Sequence, residues 1–66
     1  MISQVQNGNY IADVLRGNGP EPFWYYILRR KYSREILDLV KFDNYEDAIR
    51  EARKAVMRMG EAARAE

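Results

Sequence analysis

The residues of this chain best equipped for chemistry lie in six consecutive positions, Arg29-Arg30-Lys31-Tyr32-Ser33-Arg34. Cations suit phosphate and a ring set among them suits base stacking, the two ingredients of surfaces that bind nucleic acid. Arg29, Arg30, Lys31, Arg34 and Tyr32 are therefore the candidate nucleic-acid contacts. The cluster also has a plainer use, because cations at a hairpin tip keep strand edges solvated and apart from other edges. Nucleophilic catalysis has little to work with. Histidine, cysteine and threonine are absent, which leaves Ser3 in the expected tail and Ser33 beside Lys31, and a serine at the latter place is explained by a turn. Of the carboxylates Asp38, Asp43, Glu46 and Asp47, the last three stand where a helix N-terminus favours negative charge. Gly17-Asn18-Gly19-Pro20 lacks the lysine and the following helix of a phosphate loop. The expectation is no catalytic residue, no metal site and no cofactor: a non-enzymatic chain without a small-molecule substrate.

The elements that position these residues are legible from punctuation and period. With 66 residues there is room for one core. Residues 1–9 are polar and end in the turn-forming Asn7-Gly8-Asn9, so they read as a flexible tail. Tyr10 to Arg16 is apolar and stops at Gly17-Asn18-Gly19-Pro20-Glu21-Pro22, which predicts a short strand. Phe23 to Arg30 opens on Phe-Trp-Tyr-Tyr-Ile and predicts a second strand, and Glu35 to Phe42 predicts a third. From Tyr45 to Met59 the apolar residues Tyr45, Ala48, Ile49, Ala52, Ala55, Val56 and Met59 recur at steps of three and four, which predicts an amphipathic helix capped by Asn44. Residues 60–66 read as a frayed C-terminal tail. The predicted fold is α+β, a three-stranded antiparallel meander packed by one C-terminal helix and formed by residues 10–59.

A hairpin closed by a two- or four-residue loop pairs residue n with residue 65 minus n. That register puts Trp24, Tyr26, Leu28, Leu37 and Leu39 on one face, which is the better candidate for the helix to cover. The other face then carries Tyr25, Ile27, Val40 and Asp38, and these are the candidate interaction surface. Both faces are apolar or aromatic while the chain owns a single helix, so one face lacks a cover. A second copy of the chain would supply it, and a homodimer or another protein is the expected partner.

Charge narrows the alternatives. The chain carries 11 Lys and Arg against 10 Asp and Glu, a net charge of +1, so it exerts no global attraction on nucleic acid. The basic surplus is confined to residues 23–42, which keeps nucleic-acid binding by the Phe23–Phe42 hairpin as the second reading. No apolar segment is long enough to span a bilayer and the first residues do not form a signal peptide, so the expected location is cytoplasmic and no membrane partner is expected.

From Tyr10 to Met59, with Phe42-Asp43-Asn44-Tyr45-Glu46-Asp47-Ala48 leading into the helix, the expected topology resembles the DNA-binding domains at the amino termini of tyrosine integrases and a class of plant DNA-binding domains. Their sheets enter the major groove, and the resemblance implies a sheet that contacts DNA. The likeness is one of topology, which does not carry function by itself, and this chain lacks the strongly basic sheet usual in such domains.

Overall fold

The computed structural model describes residues 3–65, and side chains over residues 3–61. The chain is an α+β two-layer unit in which a four-stranded antiparallel meander, ordered β1-β2-β3-β4, is packed by one C-terminal helix. The strands are β1 (Ser3–Asn7), β2 (Tyr10–Gly17), β3 (Phe23–Arg30) and β4 (Ile36–Phe42), and the helix is α1 (Tyr45–Ala65).

The fold class agrees with the sequence reading, with one more strand than expected. Ser3–Asn7, expected to belong to a flexible tail, pairs along its whole length with β2, from Ser3 opposite Val14 to Asn7 opposite Tyr10. Met1 and Ile2, also assigned to that tail, lie outside the described residues. Asn7-Gly8-Asn9 does form a turn, but the turn closes a two-residue hairpin, with Gly8 at φ 60° where a left-handed backbone is needed. Only Val5 of the strand is an aliphatic residue packed against the core, so alternation was carried by polar residues and gave no apolar signal. Replacing Gly8 by valine puts a β-branched residue at this φ and is expected to cost about 1–3 kcal/mol. In a domain of this size that lowers the melting temperature by roughly 5–20 °C, measured by circular dichroism.

The helix, expected to end at Met59, runs to Ala65. Glu61-Ala-Ala-Arg-Ala has the propensity to continue it, and Gly60 is accommodated because the side chain of β1 packs there. Asn7 Nδ2 donates to the Val56 carbonyl at 3.2 Å, and a Cβ on Gly60 would stand 2.5 Å from that nitrogen. At the other end Asn44 Oδ1 accepts from Asp47 N–H at 2.8 Å, which satisfies one of the otherwise unpaired amides of the first turn.

The core lies between layers. Ala12, Val14, Tyr26 and Leu28 of the sheet meet Ala48, Ala52, Ala55 and Val56 of the helix, and the small helix residues let the two backbones approach closely. Trp24 and Tyr45 meet edge to face at 4.9 Å between ring centroids, and Ser3 Oγ is 2.6 Å from Tyr45 Oη. The helix lies mainly over β1, β2 and β3, leaving β4 as a thinly covered edge strand.

Candidate functional site

The register of β3 and β4 decides which residues the second sheet face carries. Trp24 pairs with Phe42, Tyr25 with Lys41, Tyr26 with Val40, Ile27 with Leu39 and Leu28 with Asp38, one residue out of step with the expected pairing. Only Arg29 opposite Ile36 keeps the expected register, because a bulge intervenes between Leu28 and Arg29. One extra residue in β4 turns every side chain beyond it to the opposite face. Val40 packs against the core and Asp38 lies beside the helix, so neither shares a face with Tyr25 and Ile27 as expected. Leu39, expected beneath the helix, joins Tyr25 and Ile27 instead.

The face away from the helix has two parts. Toward the β3–β4 tip it is closed by polar side chains: Arg29 Nε donates to Asp13 Oδ2 at 3.1 Å, Gln4 Nε2 donates to Asp13 Oδ1 at 2.8 Å, and Ile11 is buried between Gln6 and Arg29 in the register. Toward the other end it opens into an apolar groove of about 310 Å³ floored by Phe23, Tyr25, Ile27 and Leu39, with Arg16 and Lys41 at its margins. The Phe23 ring reaches its position by lying across Gly17, its partner in β2, where any Cβ would overlap the ring. Lys41 Nζ sits 5.2 Å from the centroid of that ring. Leu39 and Ile36 remain 46% and 54% exposed. Sequence reasoning found Tyr25 and Ile27 and missed Leu39 and Lys41, whose placement depends on the bulge.

On the helix side, a crevice of about 340 Å³ separates β4 from α1, lined by Tyr26, Leu28, Leu37, Asp38, Ala55, Arg58 and Met59. Burial pushes the Tyr26 phenol above its ordinary pKa, and the charge of Asp38 adds to the effect. Because the folded chain holds this proton to a higher pH than the unfolded chain, the associated stability is present below the usual phenol range near pH 10 and is lost as pH rises through the folded value. Tyr26→Phe is accordingly expected to lessen the loss of stability above about pH 10, as followed by urea denaturation across alkaline pH.

The five candidate nucleic-acid residues are divided between two places. Arg29 is held on the open face by Asp13, whereas Arg30, Lys31, Tyr32 and Arg34 are exposed at or beside the tip. Ser33 N–H donates to the Arg30 carbonyl at 3.1 Å, and Ser33 Oγ accepts from Glu35 N–H at 3.1 Å, so the serine serves the turn. No helix among the described residues is long and apolar enough to cross a membrane. No known protein family, curated protein or solved structure matches this chain.

Proposed function

We propose that this chain is a non-catalytic interaction module that self-associates through the sheet face its helix does not cover. The observation that carries the reading is the apolar groove of Phe23, Tyr25, Ile27 and Leu39, which no element among the described residues covers. Among the described residues, three of the five large exposed hydrophobics, Ile36, Leu37 and Leu39, belong to the thinly covered edge strand β4, with Leu39 in the groove and Leu37 turned toward the helix-side crevice.

A second copy is the occupant the face fits best. Under a two-fold axis the same groove meets itself, Leu39 and Ile27 contribute from both partners, and the two sheets stack in an aligned sandwich with a helix on each outer surface. Arg29 is already neutralised by Asp13, and Lys41 at the margin keeps contact with water, so the centre of such an interface holds no unpaired charge. Four strands at about 4.8 Å spacing and about 23 Å long present a face of roughly 400 Å² in plane, about half of what each partner contributes to a standard stable interface. The dimer is therefore weak, with dissociation in the micromolar range or above.

Dilution of an isotopically labelled sample tests this reading. Amide signals of Leu15, Tyr25, Ile27 and Leu39 are expected to move with concentration while those of Ala48 and Ala52, under the helix, stay in place. Movement confined to residues of the helix surface would contradict it.

A further inference from the structure

We propose a second, independent surface: the β3–β4 tip is a stacking site for unpaired bases of a single-stranded nucleic acid, with Tyr32 as platform and Arg30, Lys31 and Arg34 as phosphate contacts. Tyr32 is the residue the fold does not account for. It is 89% exposed, the most exposed large hydrophobic residue among the described residues, although hydrogen bonds fix the backbone that carries it. The Arg30-to-Ser33 turn closes through Ser33 N–H on the Arg30 carbonyl, the Ser33 hydroxyl braces Glu35 N–H, and Lys31 N–H donates to the Asn9 carbonyl at 2.6 Å, so the β1–β2 turn buttresses the tip. Lys31 and Tyr32 take the two central places of the turn, where Asn, Asp, Gly or Ser would serve the backbone better than a large ring.

The neighbours of the ring supply the rest of the chemistry. Lys31 Nζ lies 5.5 Å from the Tyr32 centroid, and Arg30, Lys31 and Arg34 form no ion pair among the described residues. Asn9, Arg30, Lys31, Tyr32 and Ser33 enclose a notch of about 250 Å³ beside the ring. A cationic rim complements phosphate, and an exposed ring complements the face of any base. Bases reach such a ring only when unstacked and unpaired, which favours a single strand over a duplex. The tip lies at the opposite end of the sheet from the apolar groove, so the two surfaces operate independently.

The full chain is titrated into fluorescein-labelled ten-nucleotide oligothymidylate, with anisotropy read between about 50 and 200 mM salt. Three phosphate contacts predict a logarithmic salt slope of about −2, and Arg30→Ala reduces its magnitude by about 0.7. Tyr32→Ser is expected to weaken binding roughly tenfold at every salt concentration, and Tyr32→Trp to retain it, since stacking is not a counterion effect. Both variants keep the parent melting temperature because the side chain is in solvent. Met57→Ala, on the exposed surface of α1, leaves the affinity unchanged. Equal binding by Tyr32→Ser and the parent, no binding at about 50 mM salt, preference for the duplex, or retention on phosphatidylserine vesicles without oligonucleotide binding would each overturn the proposal.

Discussion

Replacing Ala52 by leucine is expected to remove about 3 kcal/mol of stability and to leave much of the population unfolded near physiological temperature. Ala48 and Ala52 are fully buried in the same cluster as Ala12 and Val14, so the helix approaches the sheet on small side chains and the added methylene and methyl groups have no space to enter. The reverse change at a large buried position, Val56→Ala, is expected to cost about 2 kcal/mol by leaving a void beneath the helix. A domain this small holds only a few kcal/mol in reserve, which makes both effects visible as shifts of the urea midpoint. An unchanged midpoint for Ala52→Leu would mean that the helix does not pack closely on the sheet at this position.

The second large effect concerns assembly. Ile27→Lys places an ammonium at the centre of the proposed interface, where stacking a second sheet would strip it of water without giving it a partner. The expected result is a weakening of self-association by at least a hundredfold with the fold retained, since Ile27 faces away from the helix and is only half-buried. Lys41→Ala, at the margin, is expected to change association less than tenfold. A parent-like dimer from Ile27→Lys would exclude the open face as the interface.

Much of the architecture was legible because its signals are local. The helix stripe from Tyr45 to Met59, the cap at Asn44 and the breaks at Gly17-to-Pro22 and Lys31-to-Arg34 each follow from residue type and spacing, and the structure has its elements there to within one residue, with Gly17 still in β2 and β4 starting at Ile36 instead of Glu35. What escaped was set by pairing. The strand Ser3–Asn7 offers Ser, Gln, Val, Gln and Asn, and it is held by the Gly8 turn and by Val14 and Ala12 opposite it, none of which its own composition announces. The β4 bulge is likewise invisible in Glu-Ile-Leu-Asp-Leu-Val-Lys-Phe, since a single extra residue in a hydrophobic run leaves the run looking the same. Its consequence fell on the candidate surface: Asp38 and Val40 exchanged faces with Leu39 and Lys41, while Tyr25 and Ile27, in the regular strand β3, kept theirs. The separation of Arg29 from the tip cations depended on Asp13 in β2, a partner 16 residues away that no spacing rule picks out.

Sedimentation velocity of the parent chain, from about 10 μM to about 1 mM, tests the central claim most directly. Self-association through the open face predicts a mass that rises with concentration from the 7.8 kDa of one chain toward twice that value, and that stays at one chain throughout in Ile27→Lys. A parent that remains a single chain at the highest concentration would contradict the account.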